Sequence, residues 1–134
     1  MTDPSTLTDE QIVARTLDGE AGNQGINGLT AVGCVIQNRT MLCWQNEITP
    51  RGVCLHKEQF DCWLPGRDLD RITAPDYVEP PECLMLADQI LKGILTDITM
   101  GATHYFDDSI AAPFWAGPGK FTVKIGRLNF YNLA

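Results

Sequence analysis

The sequence predicts a single α+β domain, mainly α, with a small β-hairpin near the C-terminus. Three observations carry that expectation. Apolar residues recur at helical spacing in three stretches before residue 95, the pattern of helices that bury one face. Two later runs, Ala102–Phe106 and Phe121–Ile125, are β-prone, and the second alternates in and out. The 134 residues, 44% hydrophobic and 20% charged, suit one domain with a core of its own.

Residues 1–7 read as a flexible leader to a domain spanning 8–134. Thr8-Asp9-Glu10-Gln11 is a capping box: Thr8 caps, Gln11 reaches back, and acidic residues fill the first turn as the helix dipole prefers. Ile12, Val13, Thr16, Leu17 and Glu20 then fall on one inward stripe, while Asp9, Arg15 and Asp18 can face water. Gly22, Gly25 and Gly28 separate this helix from a second, capped by Asn23 or Asn27 and running to about Arg39. Its stripe of Ile26, Leu29, Val32 and Ile36, flanked by Gly28, Ala31, Gly33 and Val35, is apolar nearly all round, so this helix should be buried. From Met41 to Pro81 the periodicity fails amid prolines 50, 65, 75, 80 and 81. Such a stretch should hold short helices and loops with a task, and it contains Trp44 and Trp63. Pro81-Glu82 opens a third helix with core residues Leu86, Ala87, Ile90, Leu91 and Ile94. The two β-prone runs are expected to pair across the loop from Pro113 to Gly119.

Charge and motifs narrow the function. A net charge of −7 with a pI near 4.6 disfavours nucleic acid, whose phosphates need clustered Lys and Arg. No run of eighteen apolar residues and no signal-peptide pattern occurs, so the expectation is synthesis in a cytoplasm without membrane insertion. P-loop, GxGxxG, HExxH and GxSxG patterns are absent. The five cysteines include no CxxC pair, and neither a metal nor another cofactor is expected. Cys34 reads as a small buried hydrophobe, whereas Cys54 and Cys62 flank a short loop and could pair outside the cytosol.

What remains is an acid. Glu20 lies on the inward stripe at the end of the first helix, where the negative end of the dipole disfavours its ionised form. A protonated carboxyl beside a leaving oxygen is what cleavage of a glycosidic bond requires. A second carboxylate is often used too, and Asp61, Asp107 and Asp108 lie in suitable regions without spacing that selects one.

Seven segments in order carry a resemblance. They are Ala14-Arg15-Thr16 through Gly19-Glu20-Ala21 and Gly25; Ala31-Val32 through Asn38-Arg39; Gly52-Val53-Cys54; Gln59-Phe60-Asp61-Cys62-Trp63; Asp97 through Thr99; Gly101 through Phe106; and Ile125-Gly126 through Phe130-Tyr131. Together, across roughly residues 12 to 131, the chain resembles the cell wall hydrolase family of spore cortex-lytic enzymes and related phage and prophage endolysins. The resemblance implies a lysozyme-like domain that cleaves the glycan strands of peptidoglycan as a lytic transglycosylase or muramidase. It makes Glu20 the catalytic acid, then the base that takes a proton from the sugar's own 6-hydroxyl to leave a 1,6-anhydro end. By the same carry-over Gln59, Phe60, Trp63, Thr103, His104 and Tyr105 bind substrate. One departure is Arg127-Leu128-Asn129 where family members often carry Asn-His after Ile-Gly. A monomeric lysin acting on the wall, with a holin-type partner for release, is the setting implied. Two rivals stand beside it: a non-catalytic peptidoglycan-binding module, and a wall peptidase using Cys54, Cys62 and His56 with or without a metal.

Overall fold

The capping box forms as read. In this computed structural model, which describes residues 1–134, the Thr8 hydroxyl accepts from the Gln11 N–H at 3.1 Å and the Gln11 amide accepts from Thr8 N–H at 2.9 Å. Helix α1 (Asp9–Ala21) follows, with Ile12, Val13, Thr16 and Leu17 fully buried. Arg15 and Asp18, expected at water, are buried as well. The reason is that α1 is enclosed on its other side by the middle of the chain, which neutralises both charges. Arg15 donates to Ile72 O at 2.7 Å, pairs with Glu79 at 3.1 Å and lies over the Tyr77 ring. Asp18 accepts from the Tyr77 hydroxyl at 2.7 Å and from Arg71 at 2.5 Å.

Helix α2 (Gly25–Met41) is the buried element its composition predicts, with Ala31 through Ile36 inside. Its cap is Gln24, not Asn23 or Asn27, and makes no side-chain capping bond. The Gln24 amide reaches instead to Asp107 at 3.3 Å. Ile26, at the start of the expected stripe, is exposed. Two short helices, α3 (Pro50–Leu55) and α4 (Arg67–Ile72), and 3-10 turns at Trp44–Asn46 and Asp61–Trp63 fill the aperiodic middle. Helix α5 (Pro81–Leu91) packs on α1 and α2. The close approach depends on Gly33, where a Cβ would meet Ile90 at 3.0 Å and Leu95 at 3.2 Å. Gly93, at φ +68°, turns the chain away at once, so Ile94 stands exposed rather than in the core.

The C-terminal sheet departs from expectation in one respect. Strands β1 (His104–Asp107) and β2 (Phe121–Ile125) form where predicted but do not pair. Both flank a third strand, β3 (Leu128–Tyr131), in the antiparallel order β1-β3-β2. The hairpin therefore joins β2 to β3 through Gly126-Arg127, with Gly126 at φ +58°, a shorter closure than the proline-containing loop after β1. Tyr105 and Val123 both lie opposite the fully buried Phe130.

Residues 1–7, expected as a flexible leader, lie against the domain. Thr2 N–H donates to Thr73 O at 2.7 Å, Arg51 donates to the carbonyls of Pro4 and Leu7, and Leu7 is buried. No helix is long and apolar enough to cross a membrane.

Candidate active site

A cleft of about 1230 Å³ opens where the end of α1, the middle segment and the sheet meet. Glu20 lines it, half-buried, on the last turn of α1. Its carboxylate is held from two sides: Oε1 accepts from the Tyr105 hydroxyl at 2.6 Å and Oε2 from the Cys62 N–H at 3.0 Å.

Each donor is placed by a feature legible in the residues. Cys62 comes close because position 19 is glycine: a Cβ there would sit 2.5 Å from the Cys62 Cβ. Tyr105 comes from β1, whose approach is fixed by the end of α2. Asp97 gathers donors from Thr99, Gly101 and Asn38, and Asn38 also donates to Ala102 O at 3.0 Å. Arg39 Nε then donates to Thr103 O at 2.6 Å. The strand leaves this turn with Tyr105 aimed at the acid.

The electrostatics of Glu20 are dominated by its burial. Burial raises its pKa above the ordinary carboxylate range, opposed by the two donors, while the nearby negative charge of Asp61 raises it further. Asp107 is tied to Arg127 at 3.0 Å and Asp108 to Lys124 at 2.7 Å, so only Asp61 of the three considered second carboxylates stands exposed on the cleft without an ion pair. His104 is pushed down to about 4 by burial and by the Arg39 charge, so it is neutral at physiological pH. Its Nδ1 pairs with the Thr103 hydroxyl at 2.9 Å, and its ring lies between those of Trp44 and Trp115 at 5.3 and 5.0 Å.

Of the residues expected to meet substrate, the cleft brings Gln59, His104 and Tyr105 together with Glu20. Phe60, Trp63 and Thr103, expected to meet substrate as well, do not line it. Phe60 is buried under the Arg39 guanidinium, the Trp63 indole N–H is spent on Thr16 Oγ1 at 2.9 Å, and the fully buried Thr103 braces Leu133 and His104. Arg39, Trp44 and Trp115 line the cleft and were not expected there. For Arg39 a signal existed: on a helix apolar nearly all round, a charge has no water-facing side to occupy.

The thiols offer no nucleophile. Cys54 and Cys62 are buried and free, burial pushes Cys54 up to about 12 and Cys62 higher still, and a thiolate is what would react. His56 is engaged by Glu47 at 2.6 Å. No group of three or more His, Cys, Asp or Glu side chains converges as metal ligands would.

One half-buried carboxyl at the edge of an open cleft can supply the acid that cleavage of a glycosidic bond requires. A model of the cell wall hydrolase family matches residues 23–131, so the chain belongs to that family and is a wall-degrading enzyme. The matched segment begins just after Glu20 and takes in Tyr105, Cys62 and Arg39. The fold is similar to the catalytic domain of the germination-specific lytic transglycosylase SleB from Bacillus anthracis, with a TM-score of 0.71 and 24% identity over 97% of this chain and 100% of that one. It is also similar to the catalytic domain of the Bacillus cereus SleB protein, with a TM-score of 0.70 and 24% identity over 92% and 89%. At that identity the likeness establishes the lysozyme-like, mainly helical fold. No curated protein matches the chain significantly.

Proposed function

We propose that the chain cleaves the glycan strands of peptidoglycan as a lytic transglycosylase, with Glu20 as acid and then base. The observation that carries this reading is the Glu20 carboxyl itself, shielded so that its pKa is raised yet open to the cleft and oriented by Tyr105 and Cys62. Protonated Glu20 gives its proton to the glycosidic oxygen as the bond from that oxygen to C1 breaks, so the departing sugar leaves with a hydroxyl. The Tyr105 and Cys62 donors stabilise the carboxylate left behind. That carboxylate takes the proton of the 6-hydroxyl while its oxygen bonds to C1. The cycle ends with Glu20 protonated, a 1,6-anhydro end and no water consumed. One residue serving twice is supported by the engagement of Asp107 and Asp108 elsewhere, and Asp61 adds to the burial that raises the Glu20 pKa.

Glu20→Gln is expected to fold normally and lose at least about a hundredfold in turnover. Lysis retained by that variant would refute the assignment. Mass spectrometry of the wild-type products should show anhydro ends one water lighter than hydrolytic ones; hydrolytic ends would replace the transglycosylase by a muramidase using the same acid. We also propose a lysin setting with a holin-type partner, supported by the resemblance to phage and prophage lysins. Added from outside, the protein should then lyse permeabilised cells and spare intact ones, and equal lysis of both would count against that setting.

A further inference from the structure

Arg39 is a buried cation in no ion pair. It is 5% exposed, yet none of the ion pairs in the fold includes it. Its guanidinium spends Nε on Thr103 O at 2.6 Å, makes one long contact from Nη1 to Gln59 Oε1 at 3.4 Å, and lies 5.4 Å from the Phe60 ring centre. Nη2 has no acceptor in the protein, and no fully buried side-chain polar atom in the fold lacks a partner, so this edge reaches the cleft that Arg39 lines. Leaving a desolvated charge without a counter-ion is costly, and the other deeply buried arginine, Arg15, has Glu79. A planar fork with free N–H groups is shaped to grip a carboxylate through two parallel hydrogen bonds.

Neighbouring groups do not fill the role. Glu20 shares the cleft but is occupied by Tyr105 and Cys62, and Glu58 and Asp61 are exposed at its surface. Burial lowers the Arg39 pKa while Tyr105, Cys54 and Glu20 act against it without forming an ion pair, and His104 is neutral and cannot serve as its anion.

We propose that Arg39 is a substrate-binding residue that receives a carboxylate carried by the glycan strand, next to the acid that cuts it. The inference rests on the proposed glycan substrate. Two sources share the chemistry: the lactyl carboxylate of a muramic acid stripped of its peptide, and a carboxylate of an attached stem peptide. In either case the anion supplies the counter-charge that the fold withholds, so an uncharged strand binds to the same cleft less well.

The test uses binding rather than turnover, in the Glu20→Gln protein, with three probes. These are a peptide-free tetrasaccharide of alternating N-acetylglucosamine and N-acetylmuramic acid, its lactyl methyl ester, and the same tetrasaccharide bearing stem peptides. The free acid, or the peptide-bearing form, should bind about tenfold to a hundredfold more tightly than the ester. Arg39→Met should erase that difference, and Arg39→Lys should restore part of it. Which probe gains affinity identifies the source. Equal affinity for all three in the parent protein would overturn the proposal, as would a preference that survives Arg39→Met. Melting temperatures show whether Arg39→Met still folds; if it does not, the comparison of probes in the parent and in Arg39→Lys decides alone. Absence of cleavage by the wild type would refute the proposed reaction and leave this binding result standing.

Discussion

Tyr105 determines how the acid behaves with pH. Its hydroxyl donates to Glu20 at 2.6 Å, and a donor to a carboxylate stabilises the ionised form. Burial nevertheless wins, and the pKa of Glu20 stands above its ordinary value. Activity should therefore be full below that raised pKa and fall as pH climbs through it, because the proton to be donated is lost. Tyr105→Phe removes a stabiliser of the carboxylate, so the alkaline limb of the kcat profile should move to higher pH. The maximal rate should drop by about tenfold to a hundredfold, since a hydrogen bond to a charged group is worth about 1.5–3 kcal/mol and the base step loses it. A limb that stays in place or moves to lower pH would refute this role. Glu20 was readable beforehand because a carboxylate continuing an apolar stripe breaks the pattern of a surface helix. That Phe60, Trp63 and Thr103 lie behind the cleft wall was not readable, because motif order reveals that residues are near a site, not which side of the wall they occupy.

At the level of elements, the contact between α1 and the 3-10 turn Asp61–Trp63 governs the site. Gly19 in mid-helix costs stability relative to alanine, about 0.5–1 kcal/mol, so Gly19→Ala in an unpacked helix would stabilise. Here the new Cβ would lie 2.5 Å from the Cys62 Cβ, and both atoms are fixed to backbone with no rotamer to escape into. The turn must move, taking with it the N–H that holds Glu20 at 3.0 Å. Gly19→Ala should lower stability by about 1–3 kcal/mol and reduce kcat, measured by thermal melting and by release of soluble wall fragments. Cys62→Gly in the same protein should recover part of both, and a Gly19→Ala protein as stable and active as the parent would show that the contact is slack. The helices were legible because caps and 3.6-residue stripes are local signals. The pairing of β1 and β2 through β3 was not, since Leu128-Asn129-Phe130-Tyr131 is short and interrupted by a polar residue, and strand neighbours are chosen by the closure of the chain rather than by either strand alone.

Across the whole molecule, the cleft exists only once three distant segments meet: the end of α1, the middle segment and the C-terminal sheet. Helical periodicity and the β-prone runs foretold the fold class, but the meeting of Glu20 with Tyr105, 85 positions apart, is a tertiary fact that no local pattern encodes. Net charge, in contrast, is fully readable and has a consequence for how the enzyme reaches its substrate. At −7 the protein is repelled by an anionic wall, and the range of that repulsion shrinks from about 30 Å at 0.01 M salt to about 10 Å at 0.1 M. Inside the cleft the approach has already been made, so screening matters less there. Raising ionic strength from about 10 to about 150 mM should therefore speed the initial lysis of suspended walls several-fold. Cleavage of a short, uncharged soluble glycan should change by less than about twofold. Turbidity loss and chromatography of the soluble products follow the two rates in parallel. A lysis rate that falls steadily with salt would mean that a local basic surface, not the overall charge, governs the encounter with the wall.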